Sequence, residues 1–275
     1  MTKGVLCFAF NNGKVDYIKQ AYYLALRVKR HLDLPTSIVT TKKSDIPQNY
    51  LDVFDRVIEK EYHSENMKRY YDGNMSHRNL YFNNFGRHNA YELTPYKQTL
   101  VMDTDYIICN SILKQAFTQT HDFMIYKDGI DIAGWRHHEE FDYINDKGIP
   151  FYWATVFYFE KTENTKNFFN VLGYVVKNYE HFKKVYDIGA RNFRNDHAFS
   201  IAIHMMNGFE DNTWAKKLPG TMYYMLDQDL IKSIDEDKIE MLVSKVTRHG
   251  EYILAGTNKQ NVHVMNKFGL ERLYD

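Results

Sequence analysis

The sequence predicts an α/β protein in which a mixed, mostly parallel sheet is flanked by helices, built as a single domain across its 275 residues. Three observations carry that expectation. The N-terminal stretch reads strand, helix, strand, strand, an order that leads to parallel pairing with helices over the faces of the sheet. Leu100-Val101-Met102 is a consecutive apolar run of the kind used by a strand covered on both faces. Phe151-Tyr-Trp-Ala-Thr-Val-Phe-Tyr-Phe159 is the strongest aromatic and β-branched run in the chain, hence a further strand.

The elements follow in order. A first strand covers Gly4 to Phe10 and breaks at the polar turn Asn11-Asn-Gly-Lys14. Ile18, Ala21, Tyr22, Ala25, Leu26 and Val28 then recur at helical spacing, which predicts a helix from Val15 to His31. Pro35 to Thr41 is a second strand, and Val53 to Ile58 part of a third, a short edge strand because the segment has few apolar positions. Glu61 to Tyr81 is a polar, Tyr-rich loop with a turn signal at Asp72-Gly73-Asn74, leading into a helix around Arg78 to Glu92.

The strand holding Met102 comes next, then a short strand at Phe123 to Tyr126. Ala133 to Lys147 has no clear period and reads as a loop, the kind of segment that often carries binding residues. An amphipathic helix over Asn164 to Tyr179 follows the aromatic strand, and a second helix opens at Asn195-Asp196, either of which suits the N-cap. Met222 to Leu226, Met241 to Val246 and Tyr252 to Ala255 are strand candidates, and Asn261-Val-His-Val-Met-Asn-Lys267 closes the informative part. No repeat, low-complexity tract or dividing linker interrupts the chain.

Composition narrows the function classes. Formal net charge is zero and the sequence pI is about 7.2, so a global pull toward nucleic acid or anionic membrane is absent, although a local basic groove is not excluded. The two cysteines, Cys7 and Cys109, lie in apolar runs and are too few for a Cys-rich zinc site, which suits a reducing cytoplasm. Gly4 to Phe10 is too short for a secretory signal and nothing reaches a membrane-spanning length, so the expected setting is cytoplasmic, and the glycosylation match at Asn74-Met-Ser76 carries no weight. Aromatics make up 16% of the chain, enough both to fill a core and to offer stacking surfaces; composition does not separate the two uses.

The chemistry centres on Asp103-Thr-Asp105, two carboxylates one residue apart where the apolar strand ends. Ligands of open α/β sheets bind at that edge, and hard cations such as Mg2+ or Mn2+ reach proteins through one or two carboxylates plus substrate phosphates. The pattern alone is common: chance supplies roughly one or two Asp-x-Asp matches in a chain of this length. Asp235-Glu-Asp237 reads as a solvated turn or helix start. Asp227-Gln-Asp229 follows a strand candidate, but no comparable segment continues beyond it. Only Asp103 and Asp105 have apolar flanks on both sides, and the competing reading there is a capped strand end without metal.

Four places together resemble the nucleotide-sugar glycosyltransferases of the GT-A fold: Phe8-Ala9-Phe10-Asn11 after the first strand, Tyr96 to Asp105, Asn195-Asp196 opening a late helix, and Val262 to Lys267. The resemblance implies that Phe8, Ala9, Phe10 and Asn11 hold the nucleoside, that Asp103 and Asp105 bind Mn2+ or Mg2+ under the diphosphate with His263 completing the metal shell, and that residues 1–110 form a nucleotide-binding half and 111–275 an acceptor-binding half. It also implies a nucleoside diphosphate sugar as donor, a UDP-sugar first. Arg87 would lie near the nucleotide or its phosphates, Lys267 would offset diphosphate charge, and Asp196 would lie beside the donor sugar as the catalytic carboxylate.

Each assignment has a plainer rival. His263 could be a hydrogen-bonded structural histidine, Lys267 a solvated lysine, Arg87 a helix-surface partner of Glu92, and Asp196 an N-cap. Trp153 could stack on a sugar or sit in the core, and His137, His138, Glu139 and Glu140 could touch an acceptor or form a solvated loop. The aromatic strand followed by Arg194-Asn-Asp-His-Ala-Phe-Ser-Ile-Ala202 also resembles glycosyltransferases of large bacteriophages. That implies a hydroxymethylated base of phage DNA as acceptor and the host cytoplasm as setting, with Lys68, Arg69, Arg78, Arg87 and His88 as basic contacts. The rival classes are a phosphatase-like hydrolase using Asp103 and Asp105, which lacks the expected adjacent Asp pair downstream, a nucleotidyltransferase, which lacks a Gly-rich phosphate loop, and a non-catalytic sugar-binding protein.

Overall fold

A computed structural model of the chain describes residues 2–61, 68–69, 80–81, 86–144, 148–189, 193–210, 214–245 and 250–274. Strand β1 (Lys3–Phe8) is buried beyond its first residue. Helix α1 (Tyr17–Leu32) is capped by Asp16, whose carboxylate accepts from the Lys19 N–H, and it buries Ile18, Ala21, Leu24, Ala25 and Val28 on one stripe. Lys29 and Arg30 complement the dipole of its last turn. Strand β2 (Thr36–Thr40) is wholly buried; helix α2 (Gln48–Leu51) and the half-exposed strand β3 (Arg56–Glu59) follow. Strands β4 (Lys68–Arg69) and β5 (Leu80–Tyr81) pair antiparallel.

Of the helix expected over Arg78 to Glu92, residues 78, 79 and 82–85 lie outside the described residues, and the described part is mostly not α-helical. Gly86–Asn89 is a 3-10 turn and only helix α3 (Ala90–Leu93) is α-helical. Pro95 explains its end: the residue before a proline is driven out of the helical region, and Thr94 is extended at ψ 134°. Strands β6 (Gln98–Met102), β7 (Tyr106–Ile107), β8 (Phe123–Tyr126), β9 (Gly129–Asp131) and β10 (Trp153–Glu160) come next. Helix α4 (Glu163–Lys177) opens on a capping box between Thr162 and Thr165, helix α5 (Tyr179–Val185) follows it, and helix α6 (Asn195–Met206) packs on α4.

The rest is mostly strand: β11 (Lys216–Lys217), β12 (Met222–Met225), β13 (Leu230–Asp235), β14 (Lys238–Ser244), β15 (Tyr252–Asn258) and β16 (Val262–Val264), before helix α7 (Lys267–Glu271). A segment does continue beyond Asp229, against expectation: β13 begins at the next residue. Asp235 to Asp237 form the hairpin turn into β14, with Glu236 in the left-handed region at φ 49°.

The main sheet has seven strands in the order β11-β8-β10-β6-β1-β2-β3. Neighbours run parallel except at β10, which is antiparallel to both β6 and β8. The fold is thus a mixed α/β arrangement with a mostly parallel central sheet flanked by helices. A four-stranded sheet, β7-β16-β12-β9, and the antiparallel sheet β13-β14-β15 complete it. One large apolar core lies between the main sheet and α1, α4 and α6, and a smaller one joins Ile107, Met225, Ile231, Met241, Val262 and Leu270. Cys7 and Cys109 are free and buried, and burial pushes the Cys7 thiol up to about 12. Among the described residues, no helix is long and apolar enough to cross a membrane.

Candidate functional site

β6 ends at Met102, but the chain stays pinned to β10 for one more residue because the Asp103 N–H donates to the Thr155 carbonyl at 2.8 Å. A turn then closes as the Tyr106 N–H donates to the Asp103 carbonyl, and the Thr104 hydroxyl fastens it to the buried Gln20 of α1. The turn leads straight into β7, which pairs antiparallel with β16 so that Tyr106 lies opposite His263, and the Val264 N–H donates to the Asp105 carbonyl. One short loop therefore presents the two carboxylates and also organises the strand that brings His263 back from far along the chain.

Asp103, Asp105 and His263 each offer a ligand atom within 4.8 Å of the others. His263 Nε2 lies 3.5 Å from Asp105 Oδ2, and His263 Nδ1 lies 3.4 Å from the Thr155 hydroxyl. A second partner of that kind fixes the orientation of an imidazole so that its other nitrogen faces a ligand. Lys267, at the start of α7, reaches Asp105 Oδ2 at 3.0 Å, and Arg87 pairs with Asp103 while donating to the Ala154 carbonyl at 2.9 Å. The same residue holds Asp196 through its other backbone group: the Ala154 N–H donates to Asp196 Oδ1 at 2.9 Å, and Arg194 lies 3.4 Å from Oδ2.

The electrostatics follow from burial and from these cations. Burial pushes the Asp103 carboxyl up to about 6, against Arg87 and helped by repulsion from Asp105. Burial acts in the same sense on Asp105, but Lys267 and His263 outweigh it and hold that carboxyl well below the usual range. Asp196 is also lowered: its burial is overcome by Arg194, Arg87 and the Ala154 N–H. The cluster thus holds two clearly ionised carboxylates, Asp105 and Asp196, and three basic side chains, Arg87, Lys267 and Arg194, around a third carboxyl.

Several expectations change against this geometry. Asp196 is not the N-cap of α6; Arg194 occupies that position without a side-chain cap bond, and the Asp196 carboxylate is drawn to the β10 backbone instead. Arg87 is on a 3-10 turn and pairs with Asp103, because its guanidinium is buried where the acidic turn can reach it. Lys267 is buried on Asp105 and is no solvated lysine. Phe8, Ala9 and Phe10 are packed in the core, while Asn11 is exposed and closes the turn, its side-chain carbonyl accepting from the Ile18 N–H and its amide donating to Asp16. Trp153 belongs to the core against Phe141 and Tyr224, with its ring centroid 6.3 Å from that of His263. His137, Glu139 and Glu140 are exposed, as a solvated loop predicts. Arg78 and the side chains of Lys68 and Arg69 lie outside the described residues.

Sequence reading missed Arg136. It is fully buried and joins Asp131, with contacts at 2.5 and 2.6 Å, to Asp229, with contacts at 2.9 and 2.6 Å. Thr155, Gln20 and Arg194 were missed as well. The one available signal was Asp227-Gln-Asp229, a second acidic pair beside a strand.

The sequence matches no family model, and no curated protein matches it. Among solved structures, the chain is similar to the glycosyltransferase GlyE of Streptococcus pneumoniae TIGR4 at a TM-score of 0.45 and 14% identity, over 79% of this chain and 45% of that one. It is similar to the galactosyltransferase LgtC, solved with donor and acceptor sugar analogs, at 0.45 and 10% identity over 73% and 70% of the two chains. A putative glucose-1-phosphate thymidylyltransferase of Bacillus anthracis gives 0.40 and 8% identity over 78% and 98%. The chain spans less than half the length of GlyE. With TM-scores below 0.5, the side chains of the site, and not these outlines, carry the functional assignment.

Proposed function

We propose that the protein is an enzyme, a glycosyltransferase that moves a sugar from a nucleoside diphosphate sugar, a UDP-sugar first, to a hydroxyl acceptor, with Mn2+ or Mg2+ held by Asp103, Asp105 and His263. The observation that carries this reading is the convergence of those three ligand atoms, within 4.8 Å of one another, at the carboxyl edge of a parallel strand. The donor set fits the group: two carboxylates suit a hard cation, and imidazole is acceptable to Mn2+. When bound there, the cation neutralises charge on the departing diphosphate.

The chain's own residues supply the rest. Lys267 and Arg87 bring fixed positive charge to the same edge, aimed at the oxygens on which negative charge develops. Thr155 holds the His263 ring in orientation. Asp196, kept ionised, accepts the proton of the acceptor hydroxyl if the anomeric configuration inverts, or stabilises the sugar cation if it is retained. Asn11 and the backbone of Phe8 to Phe10 receive the nucleoside, in a nucleotide half of residues 1–110, and residues 111–275 receive the acceptor. Among hydroxyl acceptors a hydroxymethylated DNA base is one candidate, in host cytoplasm; Arg87, bound to Asp103, is not free to follow a DNA backbone.

The test is a donor screen. The protein is incubated with Mn2+ and a panel of UDP-, GDP- and other nucleotide sugars, with simple glycans and hydroxymethylated DNA as acceptors, and nucleotide release is measured. Asp105→Ala is expected to abolish metal-dependent release with the fold intact. Equal turnover by that variant removes the assignment. Metal-dependent phosphate release without any sugar nucleotide favours the hydrolase, and sugar binding without turnover favours a binding protein.

A further inference from the structure

The sheet edges of this protein are guarded unequally. β3 is four residues long and begins and ends with Arg56 and Glu59, β11 is the pair Lys216–Lys217, and β13 carries Lys232, Asp235 and a bulge between Ile231 and Ser233. Short strands, lysines and bulges are the means by which proteins keep edges from pairing with other chains. β15 has none of them. Its seven residues, Tyr252 to Asn258, include no charge and no proline, and they pair with β14 without a register shift. Tyr252, Ile253 and Leu254 are 42%, 39% and 59% exposed.

The hydrogen-bond phase shows which backbone groups face outward. The Lys245 N–H donates to the Glu251 carbonyl and the Lys259 N–H to the Asp237 carbonyl, so Glu251, Lys259 and every second residue between them point their backbone groups at β14. Tyr252, Leu254, Gly256 and Asn258 therefore turn theirs away from the sheet.

We infer that β15 pairs antiparallel with β15 of a second copy of this chain, about a two-fold axis at Ala255. In that register Tyr252 lies opposite Asn258 and Leu254 opposite Gly256, so the outward groups of both copies meet as hydrogen-bonded pairs. The Asn258 N–H, which donates to its own Gln260 side chain at 2.8 Å, exchanges that partner for the Tyr252 carbonyl of the other copy. Leu254 meets no side chain at Gly256 and packs diagonally on Leu254 of the other copy. Just beyond the strand ends, Glu251 of each copy faces Lys259 of the other, so opposite charges meet at both ends. A slip of two residues loses that match. Within its own copy Glu251 already lies 3.1 Å from Lys245, and Lys259 of the other copy joins this pair.

The test is sedimentation equilibrium of the full chain. The expected result is a monomer–dimer equilibrium with a dissociation constant between roughly 1 µM and 1 mM, the range of small interfaces. Leu254→Lys, at an exposed position that costs the fold little, is expected to weaken it at least about tenfold. Glu251→Lys and Lys259→Glu each weaken it, and the two together restore it; the loss of the Lys245 contact is common to the first single and the double variant, so recovery isolates the contact between copies. A monomer at every concentration up to about 1 mM overturns the proposal. So does a dimer that survives Leu254→Lys, or a double variant that associates no better than the singles.

Discussion

Arg87 and Lys267 each occupy one carboxylate of the acidic turn, so the protein carries internal counter-ions at its candidate metal site. On the proposed reading, an incoming cation would have to displace them, and a diphosphate would give them a new partner. Arg87→Met is therefore expected to bind Mn2+ about tenfold more tightly than the parent in the absence of nucleotide, by titration calorimetry or manganese EPR, while binding UDP more weakly. Unchanged Mn2+ affinity would show that Arg87 does not compete for Asp103. His197 gives a second test at this scale. Burial drops its pKa from 6.5 to about 3, with its ring against the Tyr179 hydroxyl at 3.2 Å. Between those values the unfolded chain takes up a proton that the folded chain refuses, so stability is lost as pH falls from about 6.5 toward 3. From pH 7 to pH 5 that one group removes about 2 kcal/mol. Urea unfolding of His197→Gln is expected to show a correspondingly smaller loss over the same interval, and an identical loss would assign the pH dependence elsewhere.

Single contacts of this kind decide how elements meet. Arg136 ties Asp131 at the end of β9 to Asp229 between β12 and β13, and Asp229 in turn accepts from the Leu226 and Ser244 N–H groups. The small antiparallel sheet is thereby clamped to the four-stranded one. Arg136→Met would leave two buried carboxylates without their cation, and removing one partner of a buried pair costs about 3–5 kcal/mol, which should appear as a lowered urea midpoint. A loss below 1 kcal/mol would mean that the clamp is replaceable by apolar packing. The clamp was also the part of the molecule that periodicity could not reveal. β1, α1, β6, β10 and α6 were legible because their burial patterns are written in neighbouring residues. Asp103 and Asp105 were legible because an apolar strand runs directly into them. Arg136 and Asp229 are 93 positions apart, and nothing local joins them. The same limit applies to Arg87: a helix-like segment was read where Gly86–Asn89 is a 3-10 turn and Pro95 ends the single helical turn after it, and Arg87 pairs with Asp103 from that 3-10 turn.

Across the whole molecule, the candidate site is a junction between sheets. Asp103 and Thr155 belong to the main sheet, and His263 and Lys267 arrive from β16 and α7, beyond the small sheet. A ligand that engages all four groups binds only when both regions are folded and docked, so its binding energy adds to the stability of the molecule as a unit. At a hundred times its dissociation constant such a ligand contributes about 2.7 kcal/mol. For a chain of this size that corresponds to a rise in melting temperature of roughly 5 °C. Mn2+ with UDP is expected to move a single calorimetric transition by that amount, and Asp105→Asn to remove the shift. If the nucleotide were held by the first strands alone, the variant would keep most of the shift; if the two sheets melted separately, a second transition would stay where it was in the absence of ligand. Either result would break the physical link between the acidic turn and the strand that delivers His263.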